Sequence, residues 1–163
     1  GGWGRGARGP ALVSAGAGGA GTVSLPARDY RTAAELLAEV AEQAGLDAGL
    51  CAAARRRGEA LRGSAAPCGG LDEAMETLAA RGYEPHLEGA EDAEGATGVG
   101  EAVVRMRNCP FHAVAERFPP LVCGMNLALL EGLLGAEGPV RARMDARPGE
   151  CCVVVEASKN NDD

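Results

Sequence analysis

Three stretches of the chain carry cysteine in a setting that suits soft-metal chemistry: Asn108-Cys109-Pro110-Phe111-His112, Val122-Cys123-Gly124-Met125-Asn126, and the pair Cys151-Cys152. Thiolates are the ligands of iron-sulfur clusters, zinc and copper(I), and three of them with an optional imidazole satisfy a four-coordinate centre. His112 follows Cys109 by three residues, about one helical turn, and makes a Cys-x-x-His pair. Cys109 directly precedes Pro110, which is expected to open a helix whose unpaired N–H groups favour an anion. A thiolate forms more easily there than on a free cysteine. Cys123, after Pro119-Pro120, is expected to receive similar help. In a regular strand Cys151 and Cys152 point to opposite faces, so one of the two is expected at the site. Spacing does not choose among the metals, and the bland alternative is that these thiols pack as small buried hydrophobes. Cys51 and Cys68 lack metal spacing and read as bystanders; His86 reads as structural.

No other chemistry competes. A Ser nucleophile elbow, a P-loop and HExxH are all absent, and the GxG pieces lie in Gly-rich sequence without a preceding strand. The chain is not expected to be an enzyme. Its formal net charge of -7 opposes binding to a phosphate backbone. The Arg55-Arg56-Arg57 run reads as a solvated helix face. There is no apolar run of membrane-spanning length and no apolar stretch of a secretory signal, so a cytoplasmic protein is expected. In a reducing compartment, clustered cysteines favour metal or redox chemistry over a disulfide framework.

The elements that must position the cysteines follow from periodicity. Residues 1–27 are Gly- and Ala-rich and read as a flexible remnant and linker. Residues 28–82 form a helical region: a helix carrying Ala33, Leu36, Leu37, Val40 and Ala44 with Asp29 or Thr32 as cap, one over Asp47–Arg62 with a weak apolar stripe, and one through Leu71, Met75 and Leu78, stopped by Gly82. From Tyr83 the period changes. In residues 83–158, strands 83–88 and 101–107 are expected to pair across an acidic mobile loop, 89–100. Pro110 opens a short helix to Arg117, Pro119-Pro120 breaks it, and Leu121–Leu134 forms another. Strands 140–146 and 151–157 close the fold across Arg147-Pro148-Gly149-Glu150. The fold class is α+β: N-terminal helices followed by two antiparallel β-hairpins flanking a broken helix, with helices on one face of the sheet. Residues 159–163 read as a disordered tail.

The segments 107–112, 121–132 and 147–153 resemble actinobacterial ArsR-like winged-helix transcriptional regulators, a group related to the SufR-type iron-sulfur repressors. The resemblance covers roughly residues 28–157. It implies that residues 28–82 serve dimerisation and 83–158 sensing, and that DNA is bound by a winged-helix domain missing from this chain. Residues 4–13 resemble the end of the wing, and the start at Gly1 reads as a processed chain, a tag or a fragment. The resemblance also implies a homodimer, and an iron-sulfur cluster or zinc held by Cys109, Cys123 and one of Cys151 or Cys152. Those relatives carry a further cysteine where this chain has Met144, which leaves His112 or an exogenous ligand to complete the shell. A metal-free small-molecule effector domain, with an apolar pocket between the broken helix and the sheet, is the rival expectation.

Overall fold

The structure, a computed structural model, describes residues 12–14, 22–24, 26–89 and 101–158. Within the stretch expected to be linker, β1 (Leu12–Ser14) and β2 (Thr22–Ser24) pair antiparallel with Val13 opposite Val23. Backbone pairing there overrides the low-complexity composition. The rest of 1–25, the loop 90–100 and the tail 159–163 lie outside the described residues.

Three helices follow as the periodicity predicts. Helix α1 (Tyr30–Gln43) is capped by Asp29, whose carboxylate accepts the Thr32 backbone N–H at 3.0 Å. α2 runs Asp47–Arg62 and α3 Leu71–Ala79. The strands β3 (Pro85–Glu88) and β4 (Val103–Met106) pair as a hairpin. α4 (His112–Ala115) is shorter than expected, because Pro110 lies in the preceding turn. α5 (Pro119–Leu134) takes both prolines into its first turn, where their missing N–H groups cost nothing. β5 (Val140–Met144) and β6 (Val153–Ala157) form the second hairpin.

The two hairpins join in one antiparallel sheet of order β3-β4-β6-β5, through β4 and β6. The fold is α+β. One sheet face presents Val104, Met106, Val153 and Val155 to Leu78 of α3 and Leu130 of α5, all fully buried. The other face carries charge in register: His86 opposite Arg105, and Arg141 opposite Glu156. Arg105 is only 2% exposed. Its guanidinium meets Glu88 at 3.1 Å, Asp145 in direct contact and Glu150 at 3.8 Å. Glu156 is gripped by Arg141 at 2.6 Å and Arg143 at 2.5 Å. Burial raises this carboxyl, but the two arginines hold it below its usual range.

The centre of the molecule is α5, buried around most of its circumference. It crosses α2 at glycine on both sides. A Cβ on Gly58 would overlap the Leu129 carbonyl oxygen and stand 2.7 Å from the Leu133 nitrogen; one on Gly132 would overlap the Arg55 carbonyl oxygen. The weak stripe of α2 therefore reflects backbone contact rather than loose packing, with Ala54 and Gly58 as its buried residues. α1 behaves oppositely. It turns Ala34, Ala38 and Ala41 inward and leaves Leu36, Leu37 and Val40 exposed at 59%, 73% and 61%.

Candidate metal centre

Four thiols meet in pairs. Cys123, in the second turn of α5, points its Sγ at the Cys152 Sγ at 2.9 Å. Cys109, in the β4–α4 turn, contacts the Cys151 thiol. The two pairs lie within electrostatic reach of one another, the charge of Cys109 acting on Cys123 and that of Cys152 on Cys151. Cys123 and Cys151 are buried, Cys109 and Cys152 half-buried.

The expectation that only one of Cys151 and Cys152 joins the site is corrected by where the strand begins. β6 starts at Val153, so both cysteines sit in irregular backbone ahead of it. The Cys151 N–H donates to the Met106 carbonyl at 3.0 Å, and the Cys152 carbonyl accepts from the Asp145 N–H at 2.8 Å. Freed from strand alternation, one thiol reaches Cys109 and the next reaches Cys123.

Three polar residues fix the surroundings. Asn126, one turn beyond Cys123, donates its amide to the Cys151 Sγ at 3.4 Å and accepts the Tyr83 hydroxyl at 2.5 Å. Both residues are buried. Asn108 accepts the Glu84 N–H at 2.6 Å and donates to the Gly82 carbonyl at 2.9 Å, which pins the turn bearing Cys109 to the entrance of β3. Tyr83 and Asn126 are support that sequence reasoning did not assign; a lone Asn among the leucines of α5 is the signal that could have found it, because a buried amide needs partners.

The thiols differ in character. Contact with Cys151, the Phe111 backbone N–H and nearby His112 outweigh burial and hold Cys109 at about 6, well below the ordinary thiol range. Contact with Cys109 and burial push Cys151 far up, so Cys151 keeps its proton and donates it toward the Cys109 sulfur. Burial and contact with Cys152 push Cys123 up to about 12. This corrects the expected helix-start help for Cys123. It is the fifth residue of α5, past the free N–H groups of the first turn.

His112 stands apart from the sulfurs. Its ring is largely exposed and turns to the Glu116 carboxylate at 3.1 Å. It shares with Cys109, Arg107, Asn108 and Glu150 the wall of a surface cleft of about 230 Å³. His86 lies 4.0 Å from Glu150, in the charged face of the sheet. Cys68 is buried beside the Thr77 hydroxyl at 3.7 Å, and Cys51 lies on α2 near Gly124.

The donor chemistry fits a soft cation: four sulfurs, mostly sheltered from water, with no carboxylate among them. The side chains rest as two pairs, and among the described residues no three His, Cys, Asp or Glu side chains form a ready metal cage. No helix among the described residues is long and apolar enough to cross a membrane. Compared with known proteins, the chain matches no family model, no curated protein and no solved structure.

Proposed function

We propose that this chain is the sensor and dimerisation part of a winged-helix transcriptional regulator, in which Cys109, Cys123, Cys151 and Cys152 hold an iron-sulfur cluster or zinc. The observation that carries this reading is the pairing of Cys123 with Cys152 and of Cys109 with Cys151, four thiols drawn from three segments far apart in sequence. When bound, the metal would cross-link the β4–α4 turn, α5 and the entrance to β6. Cys109 supplies the readily formed thiolate; Asn126 orients Cys151; Asn108 holds the turn. His112 would reach the sulfurs only after leaving Glu116.

The centre has a mechanical route to α1. Cys109 leads directly into α4, and Arg117 beyond α4 bonds Glu35 of α1 at 2.6 Å. The outer face of α1, with Leu36, Leu37 and Val40, is the proposed homodimer surface. A ligand shifts such an arrangement only by its difference in affinity for the two states. DNA contact, in this reading, belongs to a winged-helix domain outside this chain, and the setting is cytoplasmic.

Anaerobic purification followed by visible absorption and by iron, sulfide and zinc analysis tests the proposal. Bound metal, lost in Cys109→Ser and Cys123→Ser, is expected. A metal-free protein whose stability is unchanged by those substitutions would overturn it.

One observation favours a second reading, a metal-free effector domain. An almost wholly apolar cavity of about 270 Å³ lies among α1, α2, α4 and α5, lined by Leu37, Leu50, Phe111, Leu121 and Met125. It sits away from the sheet, not between sheet and broken helix as expected, because the small face of α1 leaves space above α5. A small apolar ligand that raises the melting temperature of metal-free protein would favour this reading.

A further inference from the structure

We propose that Cys123 and Cys152 form a dithiol site that a peroxide converts into an intramolecular disulfide. Their sulfurs stand 2.9 Å apart, against about 2.05 Å in a disulfide. Closure needs a sulfur shift of only about 0.9 Å, less than a change of rotamer. The two residues are brought together by different parts of the fold. Cys123 is fixed within α5, and Cys152 is held by backbone bonds on either side of it, from Cys151 to Met106 and from Asp145 to its own carbonyl. The encounter is therefore built in rather than dependent on chance motion of a loop.

Access is asymmetric in the way the reaction requires. Cys152 is half-buried and Cys123 buried, so the first meets the oxidant and the second resolves. The Cys152 sulfur attacks a peroxide oxygen; an S–O bond forms as the O–O bond breaks, and the departing hydroxide takes the thiol proton and leaves as water. The Cys123 sulfur then attacks the Cys152 sulfur. The S–S bond forms as the S–O bond breaks, and the second hydroxide leaves as water with the Cys123 proton. Two electrons pass from the thiol pair to the peroxide.

The pair stands whether or not the centre holds a metal. Where it does, the disulfide withdraws two of its four sulfurs, so oxidation and occupancy exclude each other.

The test uses the full chain, reduced and freed of metal by a chelator, with one equivalent of hydrogen peroxide. The thiols titrated after denaturation should fall from six to four. Peptide mapping should join Cys123 to Cys152. In Cys123→Ser the Cys152 sulfenic acid should be trapped by dimedone, while Cys51→Ser should form the link as the parent does. Six surviving thiols, a link between Cys109 and Cys151 instead, or over-oxidised Cys152 without a link would each overturn the proposal. If the serine variants do not fold, mapping of the parent chain decides alone. Metal analysis is independent of this outcome, so failure of the dithiol leaves the metal reading standing, and the reverse.

Discussion

Tyr83 donates its hydroxyl to the Asn126 side-chain oxygen at 2.5 Å, within the buried core that also holds Cys151. Burial holds the Tyr83 phenol above its ordinary range, so it remains a donor at any ordinary pH. Tyr83→Phe keeps the ring and strands the Asn126 oxygen, which costs about 1–3 kcal/mol in a buried setting. Urea denaturation should show that loss. Asn126→Ala should lose at least as much and free the Cys151 sulfur to react faster with a thiol reagent in the folded state. Unchanged stability in both variants would mean that this hydrogen bond does not form.

The crossing of α2 and α5 makes a sharper contrast. Gly58→Ala places a methyl group against the Leu129 carbonyl, where no flexible side chain can yield. Separating two buried helices should cost about 3 kcal/mol or more. Gly49→Ala lies on the exposed side of the same α2 with nothing within 4 Å. It should stabilise by about 0.5–1 kcal/mol, the usual gain of Ala over Gly in a helix. Thermal unfolding of the two variants, shifted in opposite directions, checks both the pairing and the facing of α2.

That crossing also shows where sequence reasoning runs short. Apolar periodicity reveals α1, α3 and α5, with the Pro pair marking the start of α5, although on α1 the large apolar residues that carry the pattern are the exposed ones. It cannot reveal that α2 packs through Gly58, because a glycine contact leaves no hydrophobic signature. The alternation of strands keeps Val153 and Val155 on one face, yet misplaces Cys151 and Cys152, because β6 begins two residues later in the chain than the pattern suggests. A shift of strand boundary too small to alter the fold decides whether one thiol or two join the centre. The charged sheet face is invisible for a related reason: Arg105 and its three carboxylates come from three separate segments, β3, β4 and the β5–β6 connection, and only the register brings them together.

The thiols give a signed pH dependence. Cys109 titrates at about 6 when folded against an ordinary value near 9.0, so the folded state binds fewer protons than the unfolded chain between these values. Stability from this group is full above the unfolded value and is lost as pH falls through about 6. Cys123, raised to about 12, and Cys151, raised further, act in the opposite sense. Their contribution is present below about 9 and is lost as pH rises toward 12. Metal-free, reduced protein should therefore gain stability from pH 6 toward 9 and lose it above. Cys109→Ser should flatten the lower limb alone, as read from denaturation midpoints across the range. A limb that persists in that variant would assign the titration to another group.

Arg105 offers a test of the far face of the sheet. Removing a buried cation that faces Glu88, Asp145 and Glu150 leaves three carboxylates without their shared partner. Contact with Arg105 also holds Asp145 below its usual range. Arg105→Met keeps much of the stem but should cost about 3–5 kcal/mol, the usual penalty for breaking one side of a buried pair. The loss should shrink at low pH, where the carboxylates protonate. Equal losses at neutral and acidic pH would assign the effect to packing.

The exposed face of α1 carries the last test. Leu36 and Val40 lie outward and Leu37 stands exposed at the rim of the apolar cavity, while alanines face the body of the protein, so the larger apolar side chains of this helix contribute little to the monomer core. An amphipathic helix normally buries its larger residues, and a 14-residue helix spans about 21 Å, long enough to form the centre of a two-fold interface. Leu36→Glu with Val40→Glu should leave folding within about 0.5 kcal/mol of the parent, as expected for exposed positions. In a dimer built on this face, the same changes place like charges across the symmetry axis and should drive the protein to monomer. Light scattering and sedimentation over a concentration series read the difference. A parent that is monomeric at high concentration, or a doubly substituted chain that remains a dimer, would remove α1 from the interface.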